Sequence, residues 1–174
     1  MLWLYLGCVG IDVWWMRRLI PNFTLTWTHW TGLCVGFLSL ELILDGWTLW
    51  RLAWLGWMAW VDHRTLHFSD FSLGLLVGLA LLDLPSDTSV IWALKALMFT
   101  PYLLLSLAQE RLGWGDTWVF GVMHAVLEFE HIQIWTLSTL CLALLFGSIQ
   151  RSKKNPIALG PFMALAYGGL VLLG

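Results

Sequence analysis

The feature that most constrains this chain is an eightfold alternation of apolar runs with short links rich in helix breakers. The runs cover roughly 1–16, 23–44, 47–61, 71–84, 90–108, 117–130, 132–149 and 156–173. The links hold Ile20-Pro21-Asn22, Asp45-Gly46 and Leu84-Pro85-Ser86-Asp87. Of the 174 residues 59% are apolar and 11% charged, with a mean hydropathy of +0.77. A soluble domain carries about 25% charge, so these few charged groups could not cover a globule of this size. High hydrophobicity also excludes intrinsic disorder. The expectation is an all-α, polytopic membrane bundle of about eight transmembrane segments, forming one domain over 1–174. Several runs fall short of the ~20 residues that span a hydrocarbon core, which calls for short helices or a thin bilayer. A net charge of −2 implies no basic surface for nucleic acid, and the 14 Trp suit a lipid–water interface.

The basic residues orient such a bundle. With alternate links assigned to opposite sides, Arg17, Arg18, Arg64, Arg111, Arg151, Lys153 and Lys154 all fall on one side. The other links contain no Lys or Arg. By the positive-inside rule that side is cytoplasmic, with both termini outside. Arg51 and Lys95 lie within segments, where pairing with Asp45 or Glu41 is the simplest expectation. The N-terminal run lacks a basic start and a small-residue cleavage site, so it reads as a membrane segment rather than a signal peptide. Cys8, Cys34 and Cys141 form no CxxC pair and read as small buried hydrophobes.

Two groups of acids lie at the cytoplasmic helix ends. In Asp62-His63-Arg64-Thr65-Leu66-His67-Phe68-Ser69-Asp70, Ser69-Asp70 reads as the cap of the next helix. Asp62 closes a helix, where the macrodipole disfavours negative charge, so an ion pair with Arg64 or a neighbouring histidine is one explanation. In Glu110-Arg111-Leu112-Gly113-Trp114-Gly115-Asp116, Gly113 could end one helix and Asp116 cap the next. The pair is more informative than either member. Asp62 and Asp116 share a membrane face and are separated by two spans, the arrangement that brings two carboxylates together in a bundle. Two such groups at low dielectric cannot both ionise. One can activate a water while the other, protonated, polarises a scissile carbonyl. Aspartyl proteolysis needs no metal, no nucleophilic Ser or Cys, and no other cofactor, and none is expected.

These residues resemble the type IV prepilin peptidases, membrane aspartyl proteases of the GxGD type. Asp62 with Ser69-Asp70 at +7 and +8 resembles the family's first aspartate motif, and Gly113-Trp114-Gly115-Asp116 matches Gly-x-Gly-Asp. Ile157-Ala158-Leu159-Gly160-Pro161-Phe162-Met163-Ala164-Leu165 is similar to the closing Ile-Pro-Phe-Gly-Pro-Phe-Leu-Ala-Leu, and Glu41-Leu42 to an early Glu-Leu. The resemblance covers roughly 39–170, leaving 1–38 as a reduced N-terminal region before a peptidase core over 39–174. It implies an endopeptidase removing leader peptides from prepilins or pseudopilins at the cytoplasmic face of a bacterial membrane. Asp62 and Asp116 would be catalytic, with Gly113, Gly115 and Asp70 supporting the motifs. The expected partners are the substrate's hydrophobic helix and the bilayer. The chain departs from the family at Ser69, where the family carries Pro, and at Trp118, where it commonly carries Lys. It also lacks the cytoplasmic cysteine loop of the methylating enzymes, which argues against N-methyltransferase activity. The alternatives are an impaired homologue acting as an assembly factor and an unrelated small transport subunit.

Other polar groups have plain explanations beside more specific ones. His63 and His67 would make a metal pair only in a helical loop with a third ligand; solvated loop histidines are the simpler expectation. His124, Glu128 and His131 share one face of a continuous helix, which permits either a metal or an interhelical polar cluster. Trp47, Trp50, Trp54 and Trp57 form a stripe that suits packing or lipid, or else a docking surface for a substrate helix.

Overall fold

The computed structural model describes residues 2–41, 44, 46–82, 84–109, 113–150 and 157–173, and among them the chain is all-α. The eight helices are α1 (Leu2–Leu19), α2 (Trp27–Glu41), α3 (Gly46–Thr65), α4 (Asp70–Leu81), α5 (Ser89–Gln109), α6 (Trp114–Val126), α7 (Phe129–Gln150) and α8 (Gly160–Leu173). Each matches one apolar run. Two stretches, Ser89–Leu107 in α5 and Phe129–Phe146 in α7, are long and apolar enough to cross a membrane; α4 and α8 are apolar but shorter. Glu110, Arg111, Asp45, Leu42, Arg151, Lys153 and Lys154, named above, lie outside the described residues.

The boundary between the sixth and seventh segments differs from expectation. Leu127 is extended (φ −77°, ψ 146°) and closes α6, so His124, Glu128 and His131 do not share one helix. Glu128, Glu130 and His131 follow the break directly, and on sequence alone they fit the end of one helix as well as the start of the next. His124 turns inward, with its Nδ1 2.8 Å from the Phe120 carbonyl. His131 and Glu128 remain at the surface, 3.9 Å apart. Among the described residues no cluster of three metal-capable side chains forms.

α3 is the central helix. It packs on α8, α4 and α2, while α6 joins α4 to α5 and α8 leans on α7. Trp50, Trp54 and Trp57 are buried and only Trp47 is exposed, so the tryptophan stripe is a packing face. Buried aromatic donors find acceptors, as such groups must: Trp54 Nε1 donates to the Ser72 carbonyl (2.9 Å) and Trp135 Nε1 to that of Met163 (3.1 Å). Lys95, buried in α5, pairs with Asp87 (2.5 Å) and donates to the Ala125 carbonyl (3.3 Å), rather than pairing with Glu41. This ties the start of α5 to the end of α6. Cys8 and Cys34 are half-buried and Cys141 is exposed, so none of the three is the buried hydrophobe expected.

Candidate active site

Asp62 sits in the last turn of α3. The chain then turns sharply through Leu66, whose φ of 57° lies in the left-handed region that a side-chain-bearing residue enters only at a cost of roughly 1–2 kcal/mol. This turn ends the helix one residue before His67, so His63 and His67 do not share a helical face. The backbone then runs extended into Ser69, the cap of α4, whose hydroxyl accepts from the Ser72 N–H (2.9 Å). Asp70 follows as the first helical residue rather than as the cap.

Asp116 sits in the first turn of α6. Gly113, extended at φ −63° and ψ 144°, occupies the N-cap position and makes no side-chain cap. The capping expected of Asp116 is therefore not its role: its Oδ1 is buried with no hydrogen-bond partner. A side chain would be crowded at both flanking positions, far more so at Gly115 than at Gly113. A Cβ at Gly113 would lie 3.3 Å from Asp116 Oδ2, and one at Gly115 would lie 2.4 Å from the Phe68 ring. The ring of the first motif's loop thus rests on the backbone of the second motif.

Asp62, Asp70, Gly113, Gly115 and Asp116 all line one cavity of about 330 Å³, together with Leu66, His67, Phe68, Leu73, Trp114 and Trp118. Every site residue expected from the two motifs therefore faces the same space, although the aspartates stand 54 positions apart in sequence. No protein-family model, curated protein or solved structure matches this chain. What the cavity can do follows from its own groups.

Both carboxyls stand just outside the apolar runs 47–61 and 117–130. Burial pushes the Asp116 carboxyl up to about 7, and the negative charge of Asp62 adds to the rise. Burial raises Asp62 as well, against the opposing pull of the Gly160 N–H and of His63 and His67. The two acids are therefore inequivalent. At neutral pH and below, Asp116 is the better proton holder and Asp62 the better anion, though such a pair titrates as a unit. Arg64 does not neutralise Asp62: its guanidinium lies over Trp60, 5.1 Å from the ring centre, and 3.3 Å from His29.

The partner of Asp62 is one that sequence reasoning missed. Gly160, the first residue of α8, donates its N–H to Asp62 Oδ2 at 2.9 Å. The positive end of α8 thus offsets the unfavourable placement of Asp62 at the end of α3. A Cβ at Gly160 would meet Asp62 Oδ2 at 2.9 Å and the Ala59 backbone at 3.2 Å, so only glycine allows this approach. The one sequence signal was Gly160-Pro161 opening an apolar run, a helix start with nothing to mark its partner.

Proposed function

We propose that the chain is an intramembrane aspartyl endopeptidase that removes leader peptides from prepilin- or pseudopilin-like substrates at the cytoplasmic face of a bacterial membrane. One observation carries this reading: two inequivalent carboxyls from separate motifs face one cavity, one held by a helix N-terminus and the other with a buried oxygen that has no hydrogen-bond partner. In the mechanism we assign, ionised Asp62 takes a proton from a water, whose oxygen attacks the scissile carbonyl carbon. Protonated Asp116 hydrogen-bonds the carbonyl oxygen as negative charge develops there. The proton on Asp62 then passes to the leaving amine as the C–N bond breaks.

The membrane setting is part of the proposal. In it, all eight helices span the bilayer, the shorter ones across a locally thin region. Large apolar side chains such as Leu97, Leu107, Leu137 and Leu144 are exposed on the two longest apolar helices, and the link basic residues divide seven to none between the two faces. A hydrophobic substrate helix also has a place to lie. An apolar groove of about 980 Å³ runs between α2, α3 and α8 and reaches Ala59, His63 and Pro161, the sequence neighbours of Asp62 and Gly160. Gly32, Gly36, Gly56 and Gly169 on its walls have open space where a Cβ would stand, and small residues let helices approach closely in a bilayer.

The test is incubation of the protein, in its membranes, with prepilin-like substrates carrying a Gly before their hydrophobic helix. Cleavage directly after that Gly, read by mass spectrometry of the new N-terminus, is the expected result. Substrates left intact throughout would overturn the proteolytic reading and favour the assembly-factor alternative.

A further inference from the structure

Behind the candidate site lies a buried carboxylate that the mechanism above does not use. Asp12, in the middle of α1, is fully buried. It accepts from Trp57 Nε1 on α3 at 2.7 Å through Oδ2, and from the Ser69 hydroxyl through Oδ1. Ser69 is itself fully buried, and its oxygen accepts from the Ser72 N–H at the start of α4. An acid inside an apolar helix is costly to keep and marks a functional position by default. Here both oxygens are satisfied by groups 45 and 57 positions away in sequence.

What this tether holds decides its meaning. Ser69 ends the short segment that begins at the left-handed Leu66 and carries Phe68. The Phe68 ring lies against Gly115, one residue before Asp116. Trp57, the other partner, lies on α3 upstream of Asp62 in the same helix. One carboxylate on α1 is therefore linked to the elements that carry both aspartates, to α3 directly and to α6 through Ser69 and Phe68.

We propose that Asp12 is a positioning residue for the Asp62–Asp116 pair, fixing the 66–69 segment so that Phe68 sets the first turn of α6 against the end of α3. This rests on the proteolytic reading given above, since turnover is what the positioning serves. Displacement of a catalytic group by about 1 Å can cost roughly 10²-fold in rate, so a loosened tether acts on kcat. The groove that would take the substrate helix is lined by Trp57 but not by Ser69 or Phe68, so the Ser69 arm of the tether is the one whose loss leaves KM unaffected.

The test compares wild type, Asp12→Ala, Asp12→Asn and Ser69→Ala, each purified in full and reconstituted. It reads substrate cleavage and amide hydrogen exchange over 66–73 and 113–118. Asn can still accept from Trp57 and donate to Ser69 Oγ, so Asp12→Asn is expected to keep turnover near wild type. Asp12→Ala is expected to lose about 10²-fold in kcat, with faster exchange in both segments. Ser69→Ala, which leaves the Trp57 bond in place, covers the case in which Asp12→Ala fails to fold, and should show a weaker loss of kcat at an unchanged KM with the same exchange pattern. Wild-type turnover in Ser69→Ala and Asp12→Ala overturns the proposal. Exchange that rises evenly along the chain, with KM and kcat falling together, also overturns it by reducing Asp12 to a stability role. If wild type itself cleaves nothing, the proteolytic reading fails separately. The exchange data then decide alone: unchanged protection at 113–118 in the variants refutes the link from Asp12 to α6.

Discussion

Asp116→Asn is expected to unfold at a higher temperature than wild type above pH 7, and at the same temperature below about pH 4. The sign follows from the carboxyl's rise from 3.8 to about 7 on folding. Between those values the folded state holds a proton that the unfolded state has released. Wild-type stability therefore falls as pH climbs through this window, and the cost is fully present above it. Asparagine cannot ionise and escapes that cost while matching the protonated acid in shape. The gain at pH 8 is on the order of 4 kcal/mol, roughly 10 °C in a chain of this size. Thermal unfolding of both proteins in detergent across pH 4–8 measures it. A constant difference across the range would mean that Asp116 is not held protonated by its surroundings. Sites built for chemistry commonly trade stability in this way.

The second large effect is at Gly160. Gly160→Ala is expected to lower stability by roughly 2–5 kcal/mol, combining overpacking with a lost hydrogen bond to a carboxylate. The added Cβ meets Asp62 and the Ala59 backbone, neither of which can retreat without moving α3. The matched control lies two turns along the same helix. A Cβ at Gly168 meets only Leu52 Cδ1, at 3.5 Å. Gly168→Ala should thus be neutral or better, since alanine favours a helix interior over glycine by about 1 kcal/mol. Denaturant unfolding of the two variants settles the comparison: equal stabilities would show that α8 does not press on Asp62 as closely as described.

The helices were legible because apolar runs and Pro, Gly and Asp links mark segment existence directly. Ser69 was legible as part of a cap for the same local reason, and Gly113-x-Gly115-Asp116 as a motif by its spacing. The break at Leu127 was not, because an extended leucine carries no turn signal and the acids after it fit the end of one helix as well as the start of another. Leu66 was equally silent: left-handed backbone is signalled by Gly or Asn, and here a leucine adopts it. The roles of Asp12 and Gly160 depend on partners 45 to 98 positions distant, which no local pattern encodes. Asp12 is an acid within the apolar run 1–16, yet nothing nearby names Trp57 or Ser69. The hydrogen bonds of Ser69 to Asp12 and Ser72 restrain the turn into α4 without a proline.

The central claim is that Asp62 and Asp116 act as one catalytic pair, and paired single substitutions test it most directly. Wild type, Asp62→Asn and Asp116→Asn would be reconstituted at equal amounts, shown to be folded, and given the same prepilin-like substrate. The account predicts cleavage by wild type and a loss of about 10²–10⁴-fold or more in each variant. Cleavage retained by either folded variant at the wild-type rate would contradict it.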